Sequence, residues 1–566
     1  MRAGRDRGDD RRCCVSTGSG STAPWQEFDD DVATAPSSRD SALLGRLAAE
    51  LTVLGYTVDG VAALLGAEAY EALGRGQSAP ALIECRRLSG AGQGAQTVPV
   101  LLWLLAEGVT DDDLGAAFPG TGVAGLEQLR LIERTEPGAA AQDEPAAAFW
   151  RATVDLRPYA SDVSGNLWVA SDLGSEQRPG PLRRDHVLGI GGASMTLAQT
   201  LMRPSVQRAL DLGTGCGIQS FHLLSHARHV TATDVSSRAL AFARFNLLLN
   251  APALDLDPDR LGDRISLRLG NLLEPVATER FELVVSNPPF VITPRTGTSG
   301  EVYTYRDGGL AGDAIVETLV RELPGVLSPG GSAQLLGNWE ITEGTPWDRR
   351  VRAFVPPGVD AWVIQREQQT PVQYAETWLR DAAENRDRQA YLVGFSAYLE
   401  DFGSRSVEGI GFGSIWLRRP HSRTDLVRVT FEEITHPIEQ PVGPHLASAV
   451  ARSDWLAEHT EQSASGSGIG DEFLLVANDV TEERHQRPGA EHPGIILLRQ
   501  GAGLRRTTLL STELAGFVSA CDGDLTAGQI AGALAVLLER PDAAFTSELL
   551  VDVEQLVREG FLVPRT

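Results

Sequence analysis

The sequence contains no lysine. All 50 basic residues are arginines, and 75 acidic residues outnumber them, which gives a formal net charge of −25 at pH 7. A protein that holds nucleic acid over a broad surface carries the opposite charge, so the composition argues against that class of protein. A single local groove of arginines is still compatible with it.

Cysteine is also scarce. The five cysteines are scattered, and no two of them form a Cys-x-x-Cys pair, so neither a disulfide framework nor a zinc knuckle is indicated. The ten histidines show no ligand spacing, and we predict no metal site. The cysteines are Cys13, Cys14, Cys85, Cys216 and Cys521.

Long apolar runs are missing as well. No segment reaches the roughly 18 apolar residues that a membrane span requires. The first twelve residues lack the apolar core of a signal peptide. We therefore expect a protein of the reducing cytoplasm with no membrane partner.

The chain length predicts several domains. Its 566 residues exceed the roughly 250 to 300 at which a single core stops growing, so we expect about three domains. Composition and periodicity indicate a disordered tail, an all-α N-terminal domain, an α/β domain with a doubly wound sheet, and a winged-helix-like C-terminal domain. These segments are residues 1–38, 39–134, 148–430 and 470–566.

The two flanking domains show no catalytic pattern. The helical N-terminal domain is equally compatible with a module that recruits substrate and with a structural cap. In the C-terminal domain, residues 511–566 hold nine acidic residues and three arginines. We therefore expect protein docking or packing there rather than DNA recognition.

A glycine-rich turn follows the first strand of the α/β domain. The strand 206–212 leads into Asp211-Leu-Gly-Thr-Gly-Cys-Gly217, whose glycines permit a tight turn and a close approach of a ligand to the backbone. The dinucleotide fingerprint would need glycine at the position of Ile218, so a nicotinamide or flavin site is disfavoured. The candidate binding residues are Asp211, Gly213, Thr214, Gly215 and Gly217.

Polar residues also follow the next two predicted strands. Asp234 ends one of them, 23 residues after Asp211, where a carboxylate can accept hydrogen bonds from ribose hydroxyls. Asn271 and Leu272 follow the other, where an adenine ring is expected in a sheet of this type, and Asn271 can accept from its exocyclic amine. Three such groups at successive strand ends indicate one binding site.

A fourth strand runs into a rigid polar corner, Phe281-Glu-Leu-Val-Val-Ser-Asn-Pro-Pro-Phe290. The prolines fix the backbone beside Asn287. The Asn287 side-chain oxygen and the Pro288 carbonyl can accept the two N–H groups of a planar nitrogen, and Phe290 can stack on its plane. The candidate catalytic residues are Asn287, Pro288, Pro289 and Phe290.

These motifs resemble the class I S-adenosylmethionine-dependent methyltransferases, in the branch with an Asn-Pro-Pro-aromatic signature. That branch includes HemK-type protein glutamine methyltransferases and small-domain rRNA and DNA amino-methyltransferases. The resemblance implies that 211–217 holds the methionine end of S-adenosylmethionine, that Asp234 holds the ribose, and that Asn271 and Leu272 flank the adenine. Many relatives carry Asp at the position of Asn271.

The resemblance implies N-methylation of a planar nitrogen, and it leaves the acceptor open. A glutamine amide in a protein and a base amine in RNA or DNA are both compatible, so nucleic acid binding remains one of the expectations. A small-molecule acceptor and a non-catalytic cofactor-binding adaptor are the alternatives.

Secondary elements beside the motifs complete the prediction. We expect a hairpin over 152–170, a helical insertion over 371–401, and late strands near 362–364 and 415–417. Gly189-x-Gly191-Gly192 is expected to form a flap rather than a phosphate loop, because no strand clearly precedes it. Segment 303–309 is either a substrate lid or an ordered loop.

Overall fold

The computed structural model describes most of the chain. The described residues are 28, 31–135, 149–162, 164–175, 177–178, 182–295, 308–381, 387–422, 427–463, 468–540 and 542–565.

Short helices build the N-terminal region. The first helix begins after Asp40, whose Oδ1 accepts a hydrogen bond from the Leu43 backbone N–H at 2.8 Å, and its leucines at i, i+1, i+4 and i+8 are buried. Two short π-helices, Ser89–Gln93 and Val100–Leu104, flank α5. The α-helices are α1 (Ser41–Val53), α2 (Val58–Leu65), α3 (Ala67–Gly74), α4 (Ala79–Leu88), α5 (Gly94–Pro99), α6 (Asp111–Ala117) and α7 (Gly122–Gln128).

A small sheet corrects the expectation of a purely helical N-terminal domain. Strands β1 (Val109–Thr110), β2 (Ile132–Thr135) and β3 (Phe149–Ala152) form an antiparallel sheet in the order β1-β3-β2. Its central strand, β3, lies beyond the predicted N-terminal domain 39–134 and within the range 148–430 predicted for the α/β domain. No sequence pattern predicts this pairing, because the three strands are short and far apart in the chain.

The predicted disordered tail is too long at its C-terminal end. Residues 31–38 pack on the folded body, where Ala35 and Ser38 are buried and the Ser37 backbone N–H donates to the Leu129 carbonyl at 2.9 Å. The Arg130 side chain donates to Asp31 at 2.6 Å. The rest of the predicted tail, apart from Phe28, lies outside the described residues.

The predicted hairpin is present as β4 (Asp155–Ser161) and β5 (Gly165–Ser171), which pair antiparallel over their whole length. It connects the N-terminal region to the central domain. The Tyr56 hydroxyl donates to the Leu156 carbonyl, and the Trp168 indole N–H donates to the Tyr56 carbonyl, each at 2.7 Å. One continuous core therefore includes both the N-terminal helices and one face of the central sheet.

The central domain is an eight-stranded, mostly parallel sheet, which confirms the predicted α/β fold. The order is β13-β11-β12-β10-β9-β6-β7-β8, in which β12 runs antiparallel to both of its neighbours. The strands are β6 (Val206–Leu212), β7 (Ala227–Asp234), β8 (Ile265–Leu269), β9 (Phe281–Ser286), β10 (Leu327–Thr342), β11 (Asp360–Gln369), β12 (Val407–Arg418) and β13 (Val429–Glu433).

The chain reverses direction along the sheet between β6 and β9. From β6 it continues outward through β7 and β8, and then returns to β9 on the other side of β6. A crevice forms at the carboxyl ends of the strands at such a switch point. The helices of this domain are α8 (Gly192–Thr200), α9 (Ile218–Leu224), α10 (Ser237–Leu249), α11 (Ala314–Glu322), α12 (Arg349–Phe354), α13 (Pro371–Asp381) and α14 (Arg388–Ser404).

The predicted helical insertion is α13 and α14, between β11 and β12. Its apolar side packs on the segment that follows the Asn-Pro-Pro-Phe corner, since Val291 and Ile292 share a core cluster with Tyr374. The Tyr374 hydroxyl also accepts a hydrogen bond from the Ile292 backbone N–H at 2.8 Å. The insertion therefore supports one side of the predicted acceptor site.

The C-terminal region contains helices and two small sheets. The sheets have the orders β18-β14-β19 and β15-β16-β17. The winged-helix assignment stays a prediction. The elements are α15 (Gly443–Ser463), β14 (Phe473–Val476), β15 (Val480–His485), β16 (Ile495–Gln500), β17 (Thr507–Leu510), α16 (Thr512–Ser519), β18 (Asp522–Thr526), α17 (Ala527–Leu537), α18 (Ala543–Glu559) and β19 (Leu562–Pro564).

No single helix in the described ranges has both the length and the apolar composition of a membrane span. Helices α1 and α2 meet such a criterion only as a pair, with a bend of 42° between them.

Candidate active site

A cavity of about 480 Å³ opens at the carboxyl ends of β6, β7, β8 and β9. Its wall includes most of the residues that the sequence singled out, although they come from four different strand ends. The predicted residues in the wall are Gly213, Thr214, Gly215, Asp234, Asn271, Leu272, Asn287, Pro288 and Pro289.

The glycine loop leaves space for a ligand. Gly213 and Gly215 have φ of 74° and 55°, a region that disfavours side chains, and a Cβ at either position would meet no atom within 4 Å. The backbone there is open to the cavity, and no side chain fills the space.

Asp234 ends β7 and lies across the loop from these glycines. Its Oδ2 accepts a hydrogen bond from the Gly215 backbone N–H at 3.0 Å, and its Oδ1 accepts one from the Ser236 backbone N–H at 2.9 Å. Burial raises the pKa of this carboxyl, and the backbone donors partly offset the rise. Each oxygen keeps a second lone-pair direction for a ligand hydroxyl.

Asp211 is not among the residues that line the cavity, and its part in cofactor binding stays a prediction. Side chains alternate along a strand, so Leu212 faces the cavity while Asp211 points beneath the loop. There its Oδ2 accepts hydrogen bonds from the Thr214 and Ser220 hydroxyls, each at 2.7 Å. Burial raises the pKa of Asp211 to about 6. Its structural role is to hold the loop in shape.

Gly217 is likewise absent from the cavity wall. Its φ is 95°, and an added Cβ would lie 3.4 Å from the Ala243 side chain on α10. The positive φ of Gly217 is the main reason for glycine here, and the nearby helix leaves little additional room for a side chain.

The end of β8 forms the part of the wall where adenine is expected. Asn271 is exposed, and Leu272 is half-buried. Leu272 has φ of 45°, an uncommon conformation for a residue other than glycine, which costs about 1 to 3 kcal/mol. The rest of the fold holds this residue in a strained conformation at the cavity wall.

Asn287 brings an unused acceptor to the cavity. Its Oδ1 is buried, and it accepts no hydrogen bond from the residues that the structure describes. The Pro288 carbonyl accepts the Phe290 backbone N–H at 2.8 Å, which leaves it one further lone pair. The Ser286 hydroxyl donates to the Leu212 carbonyl at 2.8 Å and so fixes the end of β9 to β6.

Phe290 is not among the residues that line the cavity, and its stacking on the substrate stays a prediction. The turn closed by the Pro288 carbonyl directs the chain away, and the Phe290 ring packs against the core clusters on both sides of the sheet. In this conformation its aromatic ring supports the corner from behind.

Asp185–Gly189, which leads into the predicted flap, also lines the cavity, and no sequence motif marked it as part of the site. His186 is buried there, with its Nδ1 3.6 Å from Asp172, and burial lowers the pKa of His186. Arg238 pairs with the Asp172 carboxylate through its two terminal guanidinium nitrogens, Nη1 and Nη2. Its Nη1 also donates a hydrogen bond to the Asp185 backbone carbonyl at 3.1 Å. A buried Arg-Asp pair therefore anchors this side of the wall.

Other parts of the wall were also missed. Cys216, read as a loop residue, lines the cavity, but burial raises the pKa of its thiol to about 12, so the thiol stays protonated at neutral pH. Gln219 and Thr233 are buried wall residues whose polar atoms had no sequence signature. From the predicted lid, Gly308 and Gly309 line the cavity, and 303–307 lie outside the described residues.

The wall suits a cationic, nucleoside-bearing ligand. Among the described residues, Asp185 and Asp234 line it and no arginine does; the Asp185 carboxylate is paired with Arg183, which leaves Asp234 as the carboxylate available to a ligand. Opposite charge nearby favours a cation, and a carboxylate at the end of β7 suits ribose hydroxyls. No group of three potential metal ligands occurs in the described ranges.

Two family models match the chain. Residues 189–302 match the methyltransferase small domain, and residues 53–142 match a domain of unknown function, DUF7059. The first match covers the glycine loop, Asp234 and the Asn-Pro-Pro-Phe corner. The second covers most of the N-terminal helical region and assigns no activity to it.

Two curated relatives have similar sequences over part of their length. A release factor glutamine methyltransferase from Geobacter sulfurreducens is 32% identical over 136 residues, or 23% of this chain and 44% of that relative. A ribosomal RNA small subunit methyltransferase C from Salmonella arizonae is 28% identical over 185 residues, or 32% of this chain and 44% of that relative. The chain thus spans somewhat less than half of each.

Among solved structures, a methyltransferase from Pyrococcus furiosus is 15% identical with a TM-score of 0.23, covering 44% of this chain and 92% of that one. The family resemblance rests instead on the matched domain, the strand order and the strand-end residues. On these grounds the central domain is similar to the methyltransferase small domain and resembles the class I S-adenosylmethionine-dependent methyltransferases that carry an Asn-Pro-Pro-aromatic signature.

Proposed function

We propose that the protein transfers a methyl group from S-adenosylmethionine to a planar nitrogen. The observation that carries this proposal is the buried Asn287 Oδ1, which has no donor among the described residues and lies in the wall of the same cavity as the glycine loop and Asp234. A buried oxygen that accepts no hydrogen bond lowers the stability of the fold. Its presence in the cavity wall therefore indicates that an N–H group of a ligand supplies the missing hydrogen bond.

The cofactor would lie along the strand ends β6, β7 and β8. Asp234 would accept hydrogen bonds from the ribose hydroxyls, and Leu272 would pack on the adenine. The open backbone at Gly213 and Gly215 would accommodate the methionine portion. When bound, the cofactor supplies an activated methyl group on a sulfonium. The negative wall complements that positive charge.

The acceptor nitrogen would be held by the corner. Its lone pair is delocalised in an amide or aromatic amine, so it is a weak nucleophile without help. Hydrogen bonds from its two N–H groups to Asn287 Oδ1 and the Pro288 carbonyl would favour a pyramidal nitrogen and aim its lone pair at the methyl group. This is catalysis by positioning and by stabilisation of developing positive charge.

No general base is needed for the transfer itself. Nitrogen becomes cationic when the N–C bond forms, and it can then release its proton to solvent. Among the wall residues, Cys216 is held protonated and His186 is held neutral by burial. Neither has a required role in the reaction.

The acceptor is a macromolecule in this proposal. One relative is named for a glutamine of a release factor and the other for ribosomal RNA, and both classes of acceptor present a planar N–H₂ group. The two remain alternatives for this chain. Nucleic acid binding, a cytoplasmic location, the domain limits and the role of Phe290 stay predictions.

Radiolabelled methyl transfer tests the proposal. The full-length protein is incubated with methyl-labelled S-adenosylmethionine and a fractionated bacterial extract, and the label is followed into protein, RNA and small molecules. The proposal expects label in protein or RNA, on nitrogen. Label only in small molecules would overturn the macromolecular acceptor, and failure to bind the cofactor by calorimetry would favour a non-catalytic adaptor.

A further inference from the structure

A second buried acceptor lines the cavity, and it belongs to none of the motifs. Gln219 is the second residue of α9, directly behind the glycine loop, and its side chain is only 5% exposed. Its Oε1 accepts no hydrogen bond from the residues that the structure describes. The same residue lines the cavity.

The orientation of the amide follows from its other hydrogen bond. Gln219 Nε2 donates to the Ser194 carbonyl at 2.9 Å. A carbonyl can only accept, so the nitrogen must face Ser194 and the oxygen must point away from it. Because Ser194 lies on α8, the packing of α8 against α9 fixes the position of this acceptor.

The surroundings of Gln219 favour a positively charged donor. Asp211 lies beneath the loop, where its carboxylate accepts a hydrogen bond from the hydroxyl of Ser220, the residue after Gln219. No arginine lines the described cavity wall, and its two acidic residues are Asp234 and Asp185, of which Asp185 is paired with Arg183 outside the wall. A neutral amide oxygen in this negative environment is best matched by an ammonium group, which donates and carries compensating charge.

We propose that Gln219 is a positioning residue whose Oε1 accepts a hydrogen bond from the α-ammonium group of the cofactor's amino-acid portion. The inference rests on the proposed function, since it assumes S-adenosylmethionine in this cavity. The contact between α8 and α9 would then hold the amino-acid end of the cofactor in place, at the side opposite to the ribose.

A ligand and a side chain can be changed together to test this contact. Calorimetry measures the affinities of the full-length wild-type protein and of Gln219→Met for S-adenosylhomocysteine and for its deamino analogue. Removing the ammonium should weaken binding to the wild type by roughly tenfold or more, the effect of one hydrogen bond to a charged group. In Gln219→Met the same removal should change affinity by less than about threefold, because the contact is already lost.

Two further variants act as controls. Gln334 is also 5% exposed, but both its amide atoms are bonded within the protein, to Thr200 and Met202. In Gln334→Met, removal of the ligand's ammonium group should therefore weaken binding as much as it does in the wild type. Gln219→Glu replaces the neutral acceptor oxygen by a charged one, so loss of the ammonium should weaken binding more than it does in the wild type; an effect no larger than in the wild type would contradict the contact even if Gln219→Met does not fold.

The outcomes separate this inference from the proposed function. An equal effect of deamination in wild type and Gln219→Met, or no effect in the wild type, would overturn the role of Gln219 while leaving the methyltransferase proposal intact. Failure of the folded wild-type protein to bind S-adenosylhomocysteine would overturn both.

Discussion

Replacing Asn287 by alanine should separate catalysis from folding. The buried Oδ1 makes no hydrogen bond to described residues, so its removal breaks no such bond through that atom. We expect the unfolding free energy to change by less than about 1 kcal/mol. Cofactor affinity should also change little, because Asp234 and the glycine loop are left intact.

Turnover should fall sharply in the same variant. Removal of one preorganised group that acts on charge in the transition state costs about 10² to 10³ in kcat. The hydrogen bond from the acceptor N–H to Asn287 Oδ1 would strengthen as the nitrogen becomes cationic. We therefore expect kcat to fall by a factor of that size. The loss should appear in kcat at saturating cofactor, with the cofactor affinity held within about threefold of the wild type.

The assay is label transfer into the acceptor that the extract-labelling experiment identifies, together with calorimetric binding of S-adenosylhomocysteine. Asn250→Ala is the matched control, because Asn250 is also buried but bonds the backbone of Trp168 through both amide atoms and does not line the cavity. It should lose stability and keep turnover per folded molecule. Full turnover in Asn287→Ala would refute the role of the Asn287 oxygen.

Three further variants test the supporting structure. Asp234→Asn should lower cofactor affinity roughly tenfold or more by calorimetry, because an amide is a weaker acceptor for ribose hydroxyls; unchanged affinity would exclude the ribose contact. Burial raises the pKa of Asp211 to about 6, above its value in the unfolded chain, so its ionisation opposes folding as pH rises. Between about pH 4 and pH 7 the wild type should lose roughly 3 kcal/mol of unfolding free energy that Asp211→Asn does not lose; equal pH slopes in denaturant titrations would contradict this. Arg238→Met leaves Asp172 buried without its cation and should cost about 3 to 5 kcal/mol in chemical unfolding; a cost under 1 kcal/mol would mean that the pair is not needed as an anchor.

Local sequence predicted the strand ends well for a physical reason. A run of β-favouring residues, a glycine turn and a carboxylate after a strand act over fewer than ten residues, so their conformations need no knowledge of the rest of the chain. Parallel strands then bring their carboxyl ends to one edge of a sheet. This is how Gly213, Asp234, Asn271 and Asn287 could be grouped before their positions were known.

The same local reasoning failed where side-chain direction decided the role. Asp211 and Leu212 are neighbours, yet only Leu212 reaches the cavity, because alternate residues of a strand face opposite sides. The Phe290 backbone N–H donates to the Pro288 carbonyl, and its partly buried ring packs against the core. Motif membership alone therefore did not say on which side of the loop each side chain lies.

The sequence by itself determined the α/β class, the glycine loop and the polar corner of this protein, because each depends on short-range patterns. Only the tertiary structure decided how the cavity is closed. Asp185–Gly189 reaches the wall through the Arg238–Asp172 pair, and Gln219 acquires its direction from Ser194 on another helix. Such contacts join residues far apart in the chain, so they depend on how the helices pack and leave no periodic trace in the sequence.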